Sequence, residues 1–179
     1  MLIREYLRYR ILPNPRALGA SKFKEEIMDV NNAISVLEEL IQTCRDGQKG
    51  YQEAASKVKR TDLKTFFNEQ VQERGRFAAE LEAELNRVAK ADKKLSGSVL
   101  GTLHRAWIDT KVGLGGGDKT VLEWLEHGED RAKDAYQKAV SGSLPASLME
   151  IIRRQAARVQ QAHDKVKNLR DTAEAAAAA

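Results

Sequence analysis

From residue 30 the apolar positions of the chain recur in steps of three and four. Val30, Ile34, Leu37, Ile41, Cys44, Gln48, Tyr51, Ala55 and Val58 trace one such line, the inward stripe of a long amphipathic helix. Lys59 to Thr61 interrupt it, and Thr61 or Asp62 can cap a second helix by accepting an exposed backbone N–H. The second stripe is Leu63, Phe66, Phe67, Gln70, Arg74, Phe77, Leu81, Leu85 and Val88, and it runs out in the polar stretch from Ala89 to Lys94. A third, Leu122, Leu125, Glu129, Ala132, Tyr136 and Ala139 with Val140, follows Asp118 as its cap. The fourth, Leu148, Ile152, Gln155, Val159, Ala162, Val166 and Leu169, comes after the turn from Ser141 to Leu144, and Pro145 suits its first turn.

The spacing between these stripes predicts how they pack. Brief breaks separate the first from the second and the third from the fourth, which forces each pair antiparallel. Between the pairs lies a longer stretch with a short apolar face of its own, Val99, Leu100, Leu103 and Trp107, closed by Gly113, Gly115, Gly116 and Gly117. Two antiparallel pairs joined by a long crossover that contains a short helix make the ferritin-like plan of an all-α four-helix bundle. The bundle is expected over residues 29–171. Residues 1–28 form an N-terminal extension, and the Ala-rich tail, 172–179, has no partner face and is expected to fray.

Composition narrows the class. The 179 residues are 42% hydrophobic, 31% charged and 6% aromatic, with a net charge of +4, values that suit one soluble, charge-laced helical domain. No apolar run approaches the roughly 20 residues needed to cross a bilayer. The lone cysteine, Cys44, excludes an internal disulfide and a thiolate cage for zinc, and its place in the first stripe predicts a buried, inert thiol. Three of the four net charges fall in residues 1–28, where Arg4, Arg8, Arg10, Arg16, Lys22 and Lys24 face Glu5, Glu25 and Glu26. The body mixes both signs along every helix and lacks a concentrated basic face, which argues against nucleic acid as a partner. Residues 1–12 are basic and weakly amphipathic, so contact with a membrane surface is the alternative to an unattached terminus. A further reading takes Lys24 to Ile27 as purine-rich codons before a natural start at Met28, which makes residues 1–27 a translated leader.

Each stripe is broken near its middle by a polar residue: Gln48, then Gln70 with Arg74, then Glu129, then Gln155. Buried polar groups are costly unless paired, so four such breaks at similar height call for a shared hydrogen-bonded layer centred on Glu129 and Arg74. The alternative is a remnant di-metal site for iron or manganese built from Glu73, Glu126, Glu129 and His163, each three or four residues from a stripe position. A di-iron bundle uses a Glu-x-x-His pair on each of two helices, and here only Glu73-x-x-Arg76 and Gln160-x-x-His163 stand in those places. The glycine run from Gly113 to Thr120 is not a phosphate-binding loop, because Asp118 stands where that motif needs glycine. His104 and His127 read as surface or packing histidines, and no catalytic triad can be assembled.

The stretches Leu37 to Ile41, Cys44 to Gly47, Gly50-Tyr51, Arg76 to Leu81, Gly97 to Val99, Leu103 to Trp107, Glu126 to Asp130 and Ala162 to Asp164 resemble a bacterial family of ferritin-like four-helix bundles of uncharacterised function. The resemblance covers residues 30–170 and implies a stress-associated protein of the bacterial cytoplasm, with no reaction attached. The expected function is that of a non-enzymatic bundle acting through self-association or binding of another protein, with a metal-free polar layer and no catalytic residue. A degenerate di-metal oxidoreductase or iron-handling protein is the alternative.

Overall fold

The computed structural model describes residues 20–91 and 117–178, and these fold into four α-helices with no strand among them. They are α1 (Ala20–Lys57), α2 (Thr61–Ala91), α3 (Gly117–Ser141) and α4 (Ala146–Ala178). The brief break between α1 and α2 and the turn before α4 fall where the hydrophobic pattern placed them. Pro145 stands just ahead of α4, its carbonyl accepting from the Met149 N–H at 2.9 Å. Asp118, expected to cap α3, lies within its first turn, and its carboxylate accepts from the backbone N–H of Lys59 at 2.9 Å, tying the start of α3 to the α1–α2 turn. The expected short helix within 96–112, with His104 and Trp107, lies outside the described residues.

Two boundaries differ from expectation. α1 begins at Ala20 and runs unbroken through Met28, ten residues upstream of its regular stripe. Ala20, Lys22, Lys24, Glu25, Glu26 and Met28 favour helix in that stretch, and extending an existing helix carries no nucleation penalty. At the other end α4 continues to Ala178. The tail has a partner after all: Ala173 packs against the neighbouring core, and Glu174 lies 3.5 Å from Lys119 at the start of α3.

The order of contacts gives the direction of every helix. Arg45 meets Glu82 and Gly47 meets Arg74, so α1 and α2 are antiparallel. Tyr136 meets Gln155 and Asp130 meets His163, so α3 and α4 are too. Glu39 meets Lys138 and Lys59 meets Asp118, so α1 also opposes α3. Hence α2 and α3 run the same way on opposite corners of the bundle, while α1 lies between them. Of the neighbouring helices, α2 and α4 bring their backbones least close, and long side chains close the gap between them, as in Glu73 with Arg158 and Glu80 with Gln155.

The core divides in two along the bundle axis. One cluster gathers Ile34, Leu37, Leu40, Ile41, Leu81, Leu85, Ile152 and Val159. The other gathers Tyr51, Val58, Leu63, Phe67, Leu122, Leu125 and Val166. Polar side chains occupy the region between.

Candidate functional site

Arg74 is the largest fully buried side chain of the described residues, 1% exposed, and Glu129 beside it is 2% exposed. The guanidinium leaves α2, passes over Gly47 of α1 and reaches α3 on the opposite corner, where Nη2 donates to both carboxylate oxygens of Glu129 at 2.8 Å. Gly47 matters because a Cβ there would sit 3.5 Å from Arg74 Cδ, at the limit of ordinary contact, and anything longer would meet the arginine stem. Burial by itself works against the charged guanidinium, but the Glu129 carboxylate, with Tyr51 and Cys44 adding to it, outweighs it and the Arg74 pKa is raised. The Tyr51 ring stands alongside, and burial, aided by the charge of Glu129, pushes its phenol well above the usual range.

A second polar tier lies two turns further along α3. The Cys44 thiol lies 3.1 Å from the Tyr136 hydroxyl, which donates to Gln155 Oε1 at 2.7 Å. Gln155 Nε2 in turn donates to Glu80 at 2.7 Å, and Glu80 also pairs with Arg154 at the surface. Burial raises the pKa of both Cys44 and Tyr136. The chain of contacts thus runs from a buried thiol to an exposed ion pair without a break.

Of the five residues expected in one layer, the structure pairs Arg74 with Glu129, keeps Gln70 one turn from Arg74, turns Gln48 aside and sets Gln155 in another tier. Gln155, 0% exposed, sits at the level of Tyr136. Tyr136 is seven residues along α3 from Glu129, or about 10 Å at 1.5 Å per residue. Gln48 is half-buried and folds its amide over the backbone of Gly75. Gln70 is buried one turn before Arg74, with an Oε1 that makes no hydrogen bond within the protein. The single layer is therefore two tiers, because α4 is set against α3 so that Gln155 falls opposite Tyr136.

The alternative metal ligands do not converge. Glu73 is held by Arg158 at 2.9 Å, Glu126 by Arg170 at 3.2 Å and Glu129 by Arg74. His163 is placed on another face, between Asp130 and Asp164 at 2.9 Å each, with Lys133 3.1 Å from its Nε2. Those partners hold both aspartates below the usual carboxylate range, Lys133 first for Asp130 and His163 first for Asp164. Among the described residues no group of three or more His, Cys, Asp or Glu is arranged to hold a metal. The donor set does not fit iron or manganese: three carboxylates are already neutralised by arginines, and a fourth positive charge would face Arg74.

Several contributors escape the sequence pattern. Tyr51 and Tyr136 read as apolar stripe members, and only their position beside the polar breaks hints that the hydroxyls matter. Glu80, Arg158, Asp130 and Lys133 lie off the stripes and reach inward on long or well-placed side chains. A shallow groove on the outside of α4, lined by Gln161, Asp164, Lys165, Asn168, Leu169 and Thr172, belongs to one helix and touches neither tier.

No curated protein matches the chain. A family model does, over residues 32–142, which include α1 from Asn32, all of α2 and α3, and both members of the Arg74–Glu129 pair, but not α4. The match covers more than half of the 179 residues, and the chain belongs to the family described as a domain of unknown function, DUF2383.

Proposed function

We propose that this protein is a non-enzymatic ferritin-like bundle of the bacterial cytoplasm that works through its surface, by associating with copies of itself or with another protein, in a stress-associated role. The observation that carries the reading is Arg74. At the mid-height of a bundle where a carboxylate-bridged metal centre needs cations, the chain supplies a guanidinium of its own, paired 2.8 Å from Glu129. A buried ion pair of this kind contributes little net stability over an apolar core but disfavours every packing that would leave one charge alone. It suits a scaffold whose shape must be unique. The same-direction run of α2 and α3 supports the ferritin-like plan, since Ala91 and Gly117 stand at opposite ends of the bundle. No described helix is long and apolar enough to cross a membrane.

Elemental analysis tests the reading. After incubation with ferrous or manganous ions under reducing conditions, the desalted protein should hold no stoichiometric metal. One or two tightly held ions per chain would overturn it in favour of an iron-handling or oxidoreductase role. Sedimentation equilibrium over a range of concentrations tests the self-association arm directly.

A further inference from the structure

Four buried polar atoms around the Arg74–Glu129 pair make no hydrogen bond within the protein: Arg74 Nε, Arg74 Nη1, Tyr51 Oη and Gln70 Oε1. All three residues are deeply buried, at 1%, 1% and 7% exposure. Buried polar groups in folded proteins are nearly always satisfied, and several orphans in one place point to a shared partner. Its chemistry can be read from what is unpaired. Arg74 offers only N–H donors, Gln70 Oε1 only accepts, and the Tyr51 hydroxyl can do either. The partner must therefore accept and donate at once. It must also be neutral, because Arg74 and Glu129 already cancel, and any further ion would be buried without a counter-charge. It must be small, because the two apolar clusters close over the tier from both ends.

We propose that this tier is a hydration site, in which at least one long-lived water accepts from Arg74 and donates toward Gln70, with the Tyr51 hydroxyl completing its shell. Gln70 lies one turn before Arg74 on the same face of α2, which sets its carbonyl on the side of the guanidinium stem. Tyr51 faces the same guanidinium from α1, and its pKa responds to both Arg74 and Glu129. The water completes an ion pair whose guanidinium keeps two nitrogens, Nε and Nη1, without a partner within the protein. The inference stands whether or not the bundle acts through its surface.

A high-resolution crystal structure of the full chain should show ordered solvent within hydrogen-bonding distance of Arg74 Nε or Nη1. A map in which Gln70 Oε1 or the Tyr51 hydroxyl bonds Arg74 directly, with no solvent between, overturns the proposal. In solution, oxygen-17 relaxation dispersion of the full chain should detect buried water, and the amplitude should fall in the double variant Tyr51→Phe with Gln70→Leu. An unchanged amplitude in the folded variant counts against the site. Should the variant fail to fold, the crystal map of the parent chain decides.

Discussion

Arg74 and Glu129 sit on opposite corners of the bundle, on helices that run the same way, and the guanidinium sets one nitrogen 2.8 Å from each oxygen of the carboxylate. Because the pair is diagonal, it links two helices whose backbones scarcely approach each other. Removing one partner strands the other in a site with almost no access to water. Glu129→Ala should therefore lower stability by about 3–5 kcal/mol, read as a shift of the urea midpoint. Replacing both, as Arg74→Met with Glu129→Leu, should recover most of that loss. A double variant as unstable as Glu129→Ala would show that the pair contributes by more than mutual neutralisation.

Tyr136 is the hinge of the second tier, since its hydroxyl faces Cys44 on one side and donates to Gln155 on the other. Tyr136→Phe keeps the ring and removes the donor that Gln155 Oε1 accepts from, in a place of no exposure. The expected loss is about 1–3 kcal/mol by chemical denaturation. Gln155→Leu in the same background should restore part of it, because the stranded carbonyl is then gone. Equal stability of Tyr136→Phe and the parent protein would mean that Gln155 re-pairs elsewhere.

Much of the architecture was legible because a stripe of apolar residues leaves a helix few choices. Leu37, Leu81, Leu122 and Ile152, all from the expected stripes, are fully buried, and the turn at residues 58–60 falls where the stripe breaks. The pairing of Glu129 with Arg74 could be anticipated from charge, since each was the only residue of its stripe charged at neutral pH. What periodicity cannot carry is axial register between helices. A sequence says that Gln155 faces inward but not that it stands opposite Tyr136 instead of Glu129, as this depends on how two helices slide against each other. Nor does it say that Gln48 turns aside onto Gly75. The stripes also set the ends of α1 and α4 too tightly, since helix propensity carries α1 upstream of Val30 and the contacts of Ala173 and Glu174 carry α4 past Leu169.

The glycines on α2 and α3 give a contrasting pair. Gly128 lies in mid-helix, and a Cβ there would meet nothing within 4 Å. Gly128→Ala should stabilise by about 0.5–1 kcal/mol through the lower backbone entropy of the unfolded chain. At Gly75 a Cβ would lie 2.7 Å from Gln48 Nε2, so the amide must swing away. Gly75→Ala should gain less than Gly128→Ala or lose stability, and the further change Gln48→Ala should release the difference. Thermal unfolding of the three variants ranks them directly.

Alkali should unfold this protein earlier than its surface charges alone would. Burial raises Cys44 above its ordinary value of 9.0, and Tyr51 and Tyr136 above theirs of 10.0. In the unfolded chain these groups lose their protons near the ordinary values, while the folded protein still holds them. Stability conferred by a raised pKa is whole below the unfolded value and drains away as pH climbs toward the folded one. The window therefore opens near pH 9 with Cys44 and widens near pH 10 with the two phenols. Each group contributes a slope of up to about 1.4 kcal/mol per pH unit within its window. Guanidinium midpoints taken from pH 7 to pH 11 should stay level at first and then fall increasingly steeply. Tyr136→Phe, less stable at pH 7, should lose less than the parent between pH 10 and pH 11, so that the two curves converge; parallel curves would show that Tyr136 does not hold its proton in the folded bundle.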